Sequence, residues 1–275
     1  MGDVVIGKKA MELVMLGTGH ALVTRCFSTC FLLREGDRAF LVDSGGGNGL
    51  LTQLAKTGTD LSCISDVFIS HIHLDHMLGV FWLLRCLAHR ARKGLAKPLR
   101  LYGNSHVLDT LWQITKLLLP GAMPCLTELV HTISLEETSS QEILGRTVHF
   151  FALCAKHTPQ HGFRLNLTCD QTFVFLGDIP FSEPLLPHLK GCTWLMHEAF
   201  CLEEDADRFH PHAIEHSTVL DAASLAQRLH IPHCILTHAD DSDLEHRSER
   251  FLREAQSVYH GDIHIPYDLE HIRLI

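Results

Sequence analysis

The sequence predicts an α/β fold in which two sheets pack face to face and helices cover them. Three observations carry this. Short apolar runs of strand length recur through both halves of the 275 residues, some joined by tight turns. Segments whose apolar residues fall at helical spacing stand in both halves as well. No linker, charge block or low-complexity stretch divides the chain, so residues 1–275 read as a single domain of two similar halves.

The elements follow in order. Residues 13–16, 30–33 and 39–42 are apolar strands, and Glu35-Gly36-Asp37 turns between the last two to make a hairpin. Residues 49–56 read as a helix. Val67-Phe68-Ile69-Ser70 reads as the end of a buried strand, and residues 77–91 as a helix. The rear half repeats the style, with strands at 148–153, 163–167, 172–176, 193–196 and 234–236. Helices are expected over 218–229 and 243–259.

Composition narrows the function. At 46% hydrophobic and 20% charged, the chain is ordinary for a globular protein and long enough to bury a large core. A formal charge of −9 excludes a bulk basic footprint for nucleic acid, although bound divalent ions would add positive charge locally. No apolar run reaches the roughly 18 residues that a membrane span needs. Met1-Gly2-Asp3-Val4-Val5-Ile6 lacks the basic start and apolar stretch of a secretory leader. The ten cysteines are scattered, and the closest pair, Cys26 and Cys30, has no second pair to complete a zinc knuckle. They read as reduced thiols of a cytoplasmic protein.

The densest chemistry is His71-Ile72-His73-Leu74-Asp75-His76, directly after the buried strand. Imidazole and carboxylate are ligands that zinc and similar divalent metals accept. In an extended segment His71 and His73 point the same way, while Asp75 and His76 begin the next element and face a second point. One short segment can therefore serve two ions. Histidine is common here, at 22 of 275 residues, but this pattern at a strand end is far more specific than a lone histidine.

Two ions need more ligands. His157, Asp178 and His238 each closely follow an apolar run, where a strand gives a polar head a rigid base. Alone, each reads equally as a capping or turn residue. Together with the hexapeptide they complete a two-metal set. His71, His73 and His157 hold one ion, Asp75, His76 and His238 hold the other, and Asp178 bridges. His161 is the rival to His157, and otherwise reads with His131, His210 and His212 as a surface or packing histidine.

These residues make the chain resemble the metallo-β-lactamase superfamily, and within it the ribonuclease Z-like branch. Leu16-Gly17-Thr18-Gly19 resembles the branch's opening glycine turn. Asp43-Ser44-Gly45 resembles the superfamily's Asp-x-Gly turn, and the hexapeptide is its signature. Leu99-Arg100-Leu101-Tyr102-Gly103 and Gly162-Phe163-Arg164 resemble further motifs of the branch. So do Gly177-Asp178, His197-Glu198-Ala199, His216-Ser217-Thr218 and Thr237-His238, with Phe200 standing where the branch has threonine. The resemblance implies an αββα sandwich of two mixed sheets flanked by helices, commonly a homodimer, and two Zn2+ per chain, with Mn2+ an alternative for such ligands. It also implies that His216 protonates the leaving oxygen and that Glu198 orients it. The other reading of His216-Ser217-Thr218 is a helix cap through Ser217.

One departure shapes the substrate. Transfer RNA-processing members carry a long arm between the third ligand histidine and the bridging aspartate. Here only 21 positions separate His157 from Asp178, and two strands joined at Cys169-Asp170 fill them. The expected activity is therefore hydrolysis of a small nucleotide phosphodiester, a cyclic nucleotide foremost, as in arm-less relatives. A metal-bridging hydroxide would attack phosphorus, with Asp75 also holding that water. The rivals are a transfer RNA 3′-end endonuclease, with RNA as partner, and a lactonase or glyoxalase-like hydrolase. A binding module that kept the fold has no need of all seven ligands. Arg85, Arg90, Arg92, Lys93 and Lys97 are candidate phosphate contacts, or a solvated helix face. The nucleobase, the ring or chain form of the phosphate and the pathway are not written in the sequence.

Overall fold

Each apolar run forms a strand, and the strands build two seven-stranded sheets. The computed structural model describes residues 10–275, so residues 1–6, read for a secretory leader, lie outside the described residues. The first half runs β1 (Glu12–Gly17), β2 (Cys30–Glu35), β3 (Arg38–Val42), α1 (Gly49–Lys56), β4 (Ile64–Phe68) and α2 (Leu74–Ala91). It continues through β5 (Leu99–Asn104), α3 (Ser105–Leu118), α4 (Met123–Leu129) and β6 (Val130–Leu135). The second half runs β7 (Thr138–Ile143), β8 (Arg146–Ala152), β9 (His161–Asn166), β10 (Thr172–Phe175), α5 (Leu186–Leu189), β11 (Trp194–Glu198) and α6 (Ala206–Phe209). It closes with α7 (Val219–Arg228), β12 (His233–Thr237), α8 (Arg247–Gln256), β13 (Asp262–His264) and β14 (His271–Arg273).

The two sheets share one plan. The first has the order β14-β1-β2-β3-β4-β5-β6, antiparallel through β3 and parallel beyond it. The second has the order β13-β12-β11-β10-β9-β8-β7, parallel from β13 to β10 and antiparallel beyond. Parallel neighbours need crossovers, which the helices supply. The chain's last strand, β14, crosses back to pair with β1, which ties the halves together.

Three apolar layers result. Residues of β1–β5 meet α1–α4 on the outer face of the first sheet. Residues of β10–β12 meet α7 and α8 on the outer face of the second. Between the sheets lies an aromatic-rich core. Phe163 is at its centre, with the rings of Phe40, Phe68, Phe150, Phe173 and Phe175 all within 6.0 Å, centroid to centroid. This is the αββα sandwich of two mixed sheets that the resemblance implied.

Most boundaries fall within two residues of the expected ones. Helix α2 starts at Leu74, three residues before the expected start, so Asp75 and His76 lie in its first turn. Helix α8 is shorter than expected, because Asp243 directs its carboxylate to His246 and Arg250 instead of capping a longer helix. No helix among the described residues is long and apolar enough to cross a membrane.

Phe163 is fully buried. Phe163→Ala is expected to lower the unfolding free energy by about 3–5 kcal/mol. Urea unfolding checks it, and a loss below about 1 kcal/mol would mean that the sheets do not depend on this ring.

Candidate metal centre

The carboxyl ends of the parallel strands from both sheets meet at one rim, where an α/β architecture places its ligands. From the first sheet come β4 and the start of α2. His71 lies three residues beyond Phe68, His73 caps α2 in extended conformation, and Asp75 and His76 occupy the first helical turn. From the second sheet come Asp178, three residues past β10, and His238, directly after β12. His238 adopts a left-handed φ of 60°, a strained choice typical of functional positions.

The ligand atoms of His71, His73 and Asp178 lie within 4.8 Å of one another, and so do those of Asp75, His76 and His238. Asp178 faces both groups. Its Oδ2 is 3.5 Å from His71 Nε2, 3.3 Å from His76 Nε2 and 3.7 Å from His238 Nε2. His71 Nε2, His76 Nε2 and Asp178 Oδ1 are buried without a hydrogen-bond partner. Orphaned buried polar atoms cost about 1–3 kcal/mol each. Six converging imidazole and carboxylate groups with free donor atoms fit two divalent cations.

The electrostatics agree. Burial drives the His71 and His238 imidazoles down to about 3, so both are held neutral, the form that binds metal. Burial also opposes charge on His76, but Asp75, Asp43 and Asp178 outweigh it and hold its imidazole well above the usual range. Burial would raise the carboxyls of Asp75 and Asp178, yet His76 for the first and His71 for the second pull them well below the ordinary range. Asp75 and Asp178 thus face the centre on the Nε2 side of His76, and their buried negative charge favours a cation there.

Asp43 supports the centre from below. Sequence reasoning gave it no role, although it follows Phe40-Leu41-Val42 at a strand end, as the ligands follow theirs. Its Oδ1 accepts from the Ser70 amide at 2.7 Å and its Oδ2 from the Ser70 hydroxyl at 2.8 Å. The same Oδ2 is 2.8 Å from His76 Nδ1, which leaves Nε2 to face the centre. The turn it begins docks on α2 through Gly79, where a Cβ would stand 1.9 Å from the Ser44 carbonyl oxygen.

His157 stands apart from these groups. Its side chain is 85% exposed, with Nε2 3.9 Å from Glu215 Oε1. It nonetheless lines a cleft of about 210 Å³ together with His73, Gln160, Asp178, Ile214 and His216. Gln160, which sequence reasoning also missed, is buried there with a free Oε1. His161 is buried and turns its Nε2 to the Glu136 carbonyl at 2.8 Å. His216 Nδ1 lies 3.6 Å from Glu198 Oε2, and Glu198 Oε1 accepts from the Ser217 amide at 2.5 Å. Burial opposes charge on His216, but Glu198 holds its imidazole above the ordinary value. The cap of α7 is Thr218 in a capping box with Asp221, not Ser217. Arg85, Arg90, Arg92, Lys93 and Lys97 are carried away by α2. At 1.5 Å per residue, Arg90 lies about 24 Å along the axis from Leu74, where it pairs with Asp60 at 3.6 Å.

Asp43→Ala removes three buried acceptor contacts from a residue at φ 55°. It is expected to cost about 3 kcal/mol or more and to weaken metal affinity about 10–100-fold. Asp43→Asn should keep the fold and lose affinity alone. Urea unfolding and competition with a chromogenic chelator read the two effects, and unchanged affinity in both variants would remove Asp43 from the centre.

Comparison with known proteins places this geometry. The family model described as Anti-Pycsar protein Apyc1 matches residues 11–257. The Anti-Pycsar protein Apyc1 of Paenibacillus sp. strain J14 is 30% identical over 202 residues, covering 69% of this chain and 76% of that one. The ribonuclease Z of Halalkalibacterium halodurans is 25% identical over 307 aligned residues, covering 90% and 94%. The crystal structure of the metallo-beta-lactamase fold protein YhfI from Bacillus subtilis superposes with a TM-score of 0.76 at 18% identity, covering 96% of this chain and all of that one. The chain is thus a metal-dependent phosphodiesterase with the metallo-β-lactamase fold, and it belongs to the Anti-Pycsar protein Apyc1 family.

Proposed function

We propose that this phosphodiesterase hydrolyses a small nucleotide phosphodiester, a cyclic nucleotide foremost. The observation that carries this is the short connection between β9 and β10. The Leu167 amide donates to the Gln171 carbonyl at 2.8 Å, so the strands turn tightly, at the end of β10 opposite Asp178, and no docking arm leaves this hairpin. The cleft agrees. Its volume of about 210 Å³ lies below the roughly 300–1,000 Å³ common for small-molecule sites, a scale that suits a compact substrate. The ribonuclease Z relative keeps one rival in view, transfer RNA 3′-end cleavage.

In this reading His71 and His73 would hold one divalent ion, with His157 as the third histidine. Asp75, His76 and His238 would hold the second, and Asp178 would contribute to both. Zinc is the metal that suits the set, with manganese as alternative. When bound, the ions make a nucleophile of water near neutral pH and neutralise the phosphoryl oxygens. Asp75 would also hold the attacking water. Asp43 fixes His76, and burial fixes His71 and His238, so the substrate meets a rigid frame. His216, turned by Glu198, gives its proton to the departing sugar oxygen. The reading includes one domain over residues 1–275, a homodimer and a cytoplasmic location, which free cysteines and the family resemblance support.

The test is turnover of the metal-loaded protein on 3′,5′- and 2′,3′-cyclic nucleotides beside a precursor transfer RNA. Cleavage of a cyclic nucleotide and not the RNA is expected, and cleavage of the RNA alone would make the chain a transfer RNA nuclease. His216→Ala should lower kcat by about 10²–10⁴ with metal content unchanged by elemental analysis. Lost metal would assign His216 a structural role instead.

A further inference from the structure

We propose that Phe200 is a positioning residue that holds the His216 imidazole by ring stacking. This rests on the reading of His216 as the proton donor. Phe200 stands where the resembling branch has threonine, a residue that can hydrogen-bond but cannot stack.

The ring of Phe200 lies nearly parallel to that of His216, with centroids 5.2 Å apart and an angle of 17°. This is an offset-stacked pair. Phe200 is itself fixed from every side. It is 5% exposed. His20 packs on its ring at 4.6 Å and Phe209 meets it edge-on at 5.7 Å. Its amide donates to the Ser217 carbonyl at 2.9 Å, and its carbonyl accepts from the Asp240 amide at 2.8 Å. Those two bonds join the strand end carrying Glu198, the loop carrying His216 and the turn after His238.

His216 needs such a clamp. It follows Glu215, whose φ is 62°, in a loop and not a regular element. Its Nδ1 stands 3.6 Å from Glu198 Oε2, and neither atom closes a hydrogen bond. Glu198 therefore sets which edge of the imidazole faces it, but not the plane of the ring. Two rings flank the imidazole at 5.2 Å, His238 tilted by 38° and Phe200 nearly parallel at 17°, and the parallel stack on Phe200 sets the plane. A misplacement of about 1 Å at a reacting group can cost 10²-fold in rate.

Two phosphodiesters of different leaving-group acidity test this, bis(p-nitrophenyl) phosphate and diphenyl phosphate. p-Nitrophenolate departs without much help from an acid, whereas phenolate gains more from protonation. Phe200→Leu removes the stack and keeps apolar volume, Phe200→Thr supplies the branch's residue, and Phe200→Tyr keeps the ring. The leucine and threonine variants are expected to lose about 10-fold or more in kcat on diphenyl phosphate, a fraction of what deleting an acid costs. Their KM and metal content should hold, and their turnover of bis(p-nitrophenyl) phosphate should change by no more than about 2-fold. Phe200→Tyr should match the parent. Equal losses on both esters in the folded variants, or no loss on either, overturn the proposal. In the parent protein the stack also predicts upfield ring-current shifts for the His216 imidazole protons, assigned with His216→Ala. Unshifted protons overturn it even if no Phe200 variant folds. His216→Ala separates the two readings. If its loss does not depend on the leaving group, the proton-donor role itself fails. If its loss depends on the leaving group and that of Phe200→Leu does not, only the positioning role fails.

Discussion

Three carboxylates and three imidazoles are buried against one another at the seam between the two sheets. Asp43, Asp75, Asp178, His71, His76 and His238 are each 5% exposed or less. Burying an unpaired carboxylate is prohibitive, so the groups must be arranged to compensate one another and whatever cation they share. Much of the local structure serves that arrangement. Asp43 takes a left-handed φ to bring one carboxylate under both Ser70 and His76. Gly79 removes its side chain so that α2 can close on the Asp43 turn. Gly177, also left-handed at φ 69°, sends Asp178 from the end of β10 into the middle of the cluster.

The centre is divided between the sheets, which has a consequence for stability. β4 and α2 supply His71, His73, Asp75 and His76, while β10 and β12 lead to Asp178 and His238. Neither sheet holds a complete set. The aromatic core around Phe163 holds the two sheets together, and with them the strand ends from which the candidate ligands converge. Metal binding and packing of the sandwich are therefore linked, and free energy gained in one is felt in the other.

The hexapeptide could be read from sequence as a candidate ligand cluster because its histidines and aspartate are nearly contiguous and a buried strand announces them. Asp178 and His238 could be read because each ends an apolar run. Asp43 ends such a run too, but the same signal does not tell a ligand from the residue that orients one. Residues 105–143, outside the elements expected from sequence, form α3, α4, β6 and β7. β7 is a polar edge strand with only its last residue buried, so it carries no apolar pattern. The stack of Phe200 on His216 joins residues 16 positions apart through two loops, and no local pattern encodes it. Sequence showed only that an aromatic ring replaced a threonine.

His157 separates what the backbone fixes from what a side chain is free to choose. The segment that carries it is pinned at both ends. The Leu153 amide donates to the Gln160 carbonyl at 2.8 Å, and the His161 amide donates to the Ser70 carbonyl at 3.1 Å, beside His71. The backbone is thus held at the rim of the centre. The imidazole is held by much less. Glu215 Oε1 lies 3.9 Å from it and 3.0 Å from the exposed Lys156 ammonium. Exposed ion pairs of this kind contribute about 1 kcal/mol or less. The histidines of the two candidate groups have their places set by burial or by the start of α2. His157 has its side chain set by weak surface charge, outside the group that His71, His73 and Asp178 form.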